Sequence, residues 1–141
     1  MKHSHLALAL ALTSTALQAD ADPIRLLGPD DVAWQTTPEG VAFAPLQWDR
    51  FSEAYQAFVR MPAGTVSPPH VKFANMFGVM LNGEMIHYQT GATPDDARRM
   101  GPGFFYSIAA GTPHVSACVS DVPCVVYLYQ DGAFDFRPVA P

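Results

Sequence analysis

The chain has 141 residues, a formal net charge of −5 and only 15% charged residues, with no run of Lys or Arg, so nucleic acid is a poor partner for it. Its 13 Pro and 10 Gly are spread along the length rather than gathered into one linker, which suits many short strands and turns around a single core of about 120 residues. Internal repeats and low-complexity segments are absent beyond the N-terminus.

The N-terminus reads as an export signal. Lys2 supplies a charged start, Leu6 to Thr13 form a short apolar core, and Ala19-Asp20-Ala21 satisfies the small-x-small cleavage rule. Residues 1–21 are therefore expected to be removed, with a mature start near Asp20 or Asp22, leaving residues 22–141 as one domain. The apolar core falls short of the ~20 residues that a membrane span needs, and no later segment qualifies. A periplasmic or secreted protein is expected.

In chain order, Ile24 to Leu27 and Val32 to Trp34 read as short strands parted by the turn Gly28-Pro29-Asp30-Asp31. Val41 to Leu46, with Trp48, is a third extended piece, and Trp34 and Trp48 are expected to cover an outer seam. Phe51, Ala54, Tyr55 and Phe58 stand at helical spacing, but a loop entering a strand over Tyr55 to Arg60 is the preferred reading. Ser67-Pro68-Pro69 excludes a central strand there, and alternation beyond it sets His70 and Lys72 on one face, Val71 and Phe73 on the other. Phe77 to Leu81 is a strand, Asn82-Gly83 a hairpin turn and Glu84 to Gln89 its return. Gly91 to Gly101 is a solvated loop that keeps Arg98 and Arg99 at the surface. Strands follow at Phe104 to Ala109, His114 to Val119, Val125 to Tyr129 and Gly132 to Val139. Eight or more short strands with at most a trace of helix make an all-β chain and suit an antiparallel jelly roll.

Two motifs carry a resemblance. Gly64, His70, Lys72, Met76 and Gly83 keep the spacing G-x5-H-x-H-x3-E-x6-G, and Gly103, Ala109, Gly111, His114 and Cys118 keep G-x5-P-x-G-x2-H-x3-N. At these residues the chain resembles the cupin family, and in the runs around His70, AAGTPHVSAC and DGAFDF it is similar to a subgroup of small exported bacterial cupins. The resemblance implies a cupin-like antiparallel jelly-roll barrel, with His70 and His114 pointing into one cavity from facing strands. The family's metal ligands do not carry over. Lys72 stands for the second His and Met76 for the Glu, with Ala109 and Cys118 replacing the Pro and Asn.

His70, His114 and Lys72 are accordingly the candidate catalytic residues. Lys72 is the sole lysine left after export, and lysine is rarely buried without a partner, so an inward Lys72 implies an anion, a bound ligand or a depressed pKa. Met76 and Met80 share a face and are expected as apolar cavity walls. Asn75 and Tyr88 are expected to reach the cavity mouth, and His87 to lie outward or at the rim; all five are candidate ligand-binding residues. No cofactor is expected with confidence. A divalent metal is possible but not favoured, and would fall to His70 and His114. A protonated Lys72 ~5 Å from such an ion would oppose it by roughly 6 kcal/mol at an effective dielectric of about 20. Soft-metal ligation through Met76 is a further alternative.

Cys118 and Cys124 are expected to form a disulfide across a hairpin, worth roughly 2 kcal/mol by chain entropy; a free Cys118 thiol is the alternative. The favoured function is binding of a small polar or anionic organic molecule, with metal-free, isomerase-like acid–base work by a histidine near neutral pH. A metal-dependent, dioxygenase-like enzyme and a non-catalytic interaction module are the alternatives, and a homodimer is compatible with all three.

Overall fold

The computed structural model describes residues 24–140; the expected export signal and the expected cleavage site lie outside them. Ten short strands run in the order β1 (Gln35–Thr36), β2 (Ala42–Gln47), β3 (Tyr55–Met61), β4 (His70–Val71), β5 (Met76–Asn82), β6 (Met85–Gln89), β7 (Phe105–Ile108), β8 (His114–Cys118), β9 (Cys124–Gln130) and β10 (Arg137–Pro138). Among the described residues, helix is confined to one 3₁₀ turn at Pro94–Asp96. The strands form a six-stranded sheet in the order β1-β2-β3-β9-β5-β7 and a four-stranded sheet in the order β10-β4-β8-β6, and the strand pairs are antiparallel. This is the all-β antiparallel jelly roll that the strand count suits.

The core follows from period-two alternation. Tyr55, Ala57, Val59 and Met61 of β3 and Cys124, Val126 and Leu128 of β9 turn inward, and Met76 and Met80 of β5 join them with Met85 of β6. At about 25 cal/mol per Å² of apolar surface, burying this row of the six-stranded sheet against Met85 and Cys118 of the other favours closure of the two sheets on each other.

Several expectations change. Ile24 to Leu27 is irregular, and the first pairing begins at Gln35 rather than within Val32 to Trp34. Trp48 leaves β2 with φ +62 and is half exposed, so it turns the chain instead of covering a seam. Trp34 does cover the outer side, with the Arg60 guanidinium 3.9 Å above its ring. The Asn82-Gly83 hairpin is not formed: β5 pairs with β7 and β9, whereas β6 pairs with β8 in the other sheet. The dipeptide is a corner between sheets. Gly83 adopts φ +74, and a Cβ there would stand 2.9 Å from Cys124 Cα and the Pro123 carbonyl, so the corner presses on the turn between β8 and β9. Only Arg137–Pro138 of the segment Gly132 to Val139 is paired, and the rest crosses the open end of the barrel. The loop at 91–101 is largely exposed, but Met100 bridges Met85 and is buried.

Candidate functional site

A cavity of about 730 Å³ lies between the two sheets, within the range usual for small-molecule sites. Its wall is mostly apolar, from residues such as Val59, Met61, Met85 and Leu128, with His70, Lys72 and His87 among its polar groups.

The imidazoles are set by strand register. His70 and His114 are direct cross-strand partners on the neighbouring strands β4 and β8; they do not come from facing strands, as expected, because β4 and β8 share one sheet. Their ring centroids are 4.2 Å apart. Each ring is fixed from behind: His70 Nδ1 lies 2.9 Å from the Pro68 carbonyl and His114 Nδ1 2.8 Å from the Thr112 carbonyl. A carbonyl only accepts, so both Nδ1 atoms carry the proton and both Nε2 atoms keep a lone pair. His114 packs against His70 and does not itself line the cavity, and its Nε2 is buried with no partner.

His87 corrects an expectation. It faces inward from β6, lines the cavity, and shares a hydrogen bond of 2.8 Å between Nδ1 and Ser116 Oγ, its cross-strand partner. Its ring is 6.4 Å from that of His114 and 4.4 Å from that of Tyr106. Alternation then turns Tyr88 to the opposite face, and it does not line the cavity. Met80 is fully buried but sits in the core, whereas Met76 lines the cavity. Asn75 is absent from the wall because its side chain is occupied elsewhere: Nδ2 donates to Asp131 Oδ2 at 2.6 Å, and Oδ1 accepts from the Ala110 amide at 2.9 Å. It braces two loops.

Burial sets the charge state of these groups. Loss of hydration lowers the His70 pKa to about 4 and the His87 pKa to about 3, with further depression of each by neighbouring His114. His114 is lowered as well, again chiefly by burial and also by Lys72. The imidazoles are neutral at pH 7, which removes the expected histidine acid–base pair near neutrality. Lys72 is 7% exposed, and burial lowers its pKa to about 8, partly offset by Asp135. Its ammonium donates to the Asp135 backbone carbonyl and lies 4.5 Å from the centre of the Phe134 ring.

Lys72 is framed by the crossing segment, which sequence reasoning did not single out as part of the site. Gln130, fully buried, donates from Nε2 to the Ala133 carbonyl at 2.7 Å and so shapes the turn that delivers Phe134, Asp135 and Phe136. Phe136 stacks on His70 at 4.2 Å. The Phe134 amide donates to the Arg50 carbonyl at 2.6 Å, and Arg50 lines the cavity from the loop before β3. Asp49 accepts from the Phe51 amide through Oδ1, a local turn that sets Arg50 inward. The DGAFDF run was the one available signal for this segment; nothing in the sequence marked Arg50.

The residues do not fit the four-ligand metal centre of resembling barrels. Lys72 and Met76 occupy two of its positions, one as a cation and the other as an apolar wall. Among the described residues, no three of His, Cys, Asp or Glu converge in a way that could hold a metal. Cys118 and Cys124 form the expected disulfide, joining β8 to β9 and thus one sheet to the other. No helix among the described residues is long and apolar enough to cross a membrane.

The profile of the ChrR cupin-like domain matches residues 25–132. No curated protein matches the chain. Among solved structures, the cupin domain of Schizosaccharomyces pombe Cnp3 superposes with a TM-score of 0.55 at 19% identity, covering 65% of this chain, which spans only 61% of that one. KdgF from Halomonas sp. gives 0.59 at 18% identity, covering 76% of this chain and 94% of its own. The polyketide cyclase RemF from Streptomyces resistomycificus gives 0.63 at 18% identity, covering 84% of this chain and 87% of its own. At these identities the likeness is one of fold.

Proposed function

The chain belongs to the ChrR cupin-like domain family, and from that premise we propose that it is an exported one-domain cupin, residues 22–141, whose cavity binds a small polar or anionic organic molecule beside His70 and Lys72. The observation that carries the reading is the state of Lys72. It is a buried cation on the cavity wall, and among the described residues no carboxylate forms an ion pair with it. Asp135 offsets only part of the cost of holding that charge out of water, and an anion entering the cavity offsets more of it.

His70 and His87 then serve as neutral hydrogen-bonding groups that orient the bound molecule. If the bound molecule is turned over, proton transfer falls to Lys72, whose pKa of about 8 lies nearest the working pH. The disulfide supports export, since such bonds persist in oxidising compartments. The unpartnered Nε2 atoms of His87 and His114 favour one other reading, a metal-dependent enzyme of dioxygenase type.

A thermal-shift series with small carboxylates and their neutral amides tests the proposal. Carboxylates should raise the unfolding temperature, with ligand at 100 times Kd adding about 2.7 kcal/mol, and Lys72→Met should weaken the response. No response to any carboxylate sinks the binding reading. Near-equimolar metal after mild purification, lost on His70→Ala or His114→Ala, would instead establish the metal-dependent reading.

A further inference from the structure

Arg50 is a second cation on the cavity wall, half-buried as a residue, that the reading above leaves unused. Three aromatic rings enclose its guanidinium, with centroids 4.3 Å (Phe43), 4.6 Å (Phe51) and 5.6 Å (Phe134) from Cζ. Inside this box Nε and Nη1 are shut off from solvent and hydrogen-bond to nothing. A guanidinium presents its donors as a flat fork that matches a carboxylate, and stacking on aromatic faces satisfies its charge but none of those donors. Two carboxylates belong to this region. Glu39 is exposed where it lines the cavity, and Asp135 accepts from the Phe73 amide through Oδ2 while its Oδ1 is buried without a partner. Among the described residues neither forms an ion pair with Arg50.

We propose that Arg50 is the carboxylate anchor of the cavity, and that the natural ligand is a monocarboxylate with an apolar body, held head-first in the aromatic box with its body along the apolar wall toward His70 and His87. The inference rests on the small-anion reading of the cavity and adds to it the ligand's orientation and class. Arg50 and Lys72 both lie against Phe134, Lys72 at 4.5 Å and Arg50 at 5.6 Å from the ring centre, so the charge on the wall is gathered at one end. Much of the remaining wall, with Val59, Met85 and Leu128, is apolar and suits an aryl or branched alkyl body. Of the three rings around Arg50, Phe43 is buried and Phe51 is 67% exposed. Phe51 is therefore the cover that moves to admit the ligand head to Nε and Nη1.

Isothermal titration of the purified protein with phenylacetate and with phenylacetamide tests this, on wild type, Arg50→Met and Arg50→Lys. Wild type should bind the acid about tenfold or more tightly than the amide, as the loss of a charge-assisted hydrogen bond requires. Arg50→Met should abolish that preference, and Arg50→Lys should keep only part of it, because an ammonium lacks the fork. Equal acid and amide affinities in wild type overturn the inference. So does a full preference retained in Arg50→Lys, which decides the matter even if Arg50→Met does not fold. Acid preference removed by Lys72→Met but not by Arg50→Met overturns the Arg50 assignment alone. Failure of every small carboxylate to bind overturns the cavity reading with it.

Discussion

The polar groups of the site are of two kinds, imidazoles held by strands and cations held by loops. His70, His87 and His114 stand on β4, β6 and β8, where pairing registers bring His70 opposite His114 and His87 opposite Ser116. Their Nδ1 atoms are tied to carbonyl or hydroxyl oxygens, and burial leaves them neutral. Arg50 sits on an irregular loop, and Lys72, just past β4, is framed by the chain crossing at Phe134 to Phe136. Regular structure thus supplies aligned, uncharged groups with lone pairs, and irregular structure supplies positive charge wrapped in aromatic rings. A sheet can bring side chains together without any one of them being charged, whereas enclosing two cations takes segments free to fold rings around them.

The largest effect expected from this contrast is acid sensitivity of the imidazoles. His70 and His87 have folded pKa values of about 4 and about 3 against an unfolded value of 6.5. Above pH 6.5 both states are neutral at these sites and the stability is fully present; as pH falls below 6.5 the unfolded chain takes up protons that the folded one refuses, and stability is lost until the folded pKa is reached. His70 alone accounts for a loss on the order of 3 kcal/mol, and His87 for at least as much. Urea midpoints measured at about pH 7 and about pH 4.5 should differ accordingly, and His87→Phe should shrink the difference. Equal midpoints in the wild type would mean that these rings are solvated.

A smaller effect probes rigidity. A Cβ on Gly78 would stand 2.3 Å from Tyr106 Cζ, and the Tyr106 ring is buried against His87 with little room to retreat. Gly78→Ala should cost about 3 kcal/mol by overpacking. Among the loops, a Cβ on Gly132 would stand 3.0 Å from Ala74 Cβ, and the crossing segment can shift to relieve that contact, so Gly132→Ala should cost about 1 kcal/mol. Similar losses from the two, read from urea unfolding, would show that the crossing segment is as unyielding as the sheet.

The same contrast explains what was legible in the sequence. Alternation and turn residues marked β3, β5, β8 and β9 closely, since these strands bury one face and period two is a strong local signal. The spacing from Gly64 to Gly83 and from Gly103 to Cys118 pointed to His70, Lys72 and His114. The Asn82-Gly83 corner looked like a hairpin because the dipeptide encodes a tight reversal and says nothing of which sheet the next strand joins. His87 was set at the rim because alternation fixes relative faces but not which face is inward until a partner strand is known. Arg50 was invisible. Its burial depends on Phe43 and Phe134, respectively 7 and 84 residues away, and no local pattern encodes such an enclosure.

A further effect concerns Lys72 and runs in the opposite pH direction. Lys72 has a folded pKa of about 8 against 10.5 when unfolded. Between these values the unfolded chain holds a proton that the folded one has released, so stability rises with pH through this window. From about pH 7.5 to about pH 9.5 the gain should approach 2 kcal/mol. Above about pH 10 the trend reverses: burial raises the phenol pKa of Tyr55 and Tyr106, so the unfolded chain loses phenol protons that the folded one retains. Lys72→Met should remove the rise and leave the fall. A bound carboxylate should also remove much of the rise, because a negative charge beside the ammonium raises its folded pKa toward the unfolded value. Urea midpoints across this range, with and without phenylacetate, check both statements together. A rise that persists unchanged with ligand bound would place the carboxylate away from Lys72, at Arg50 alone, and would make Arg50 rather than the motif lysine the charge that selects the ligand.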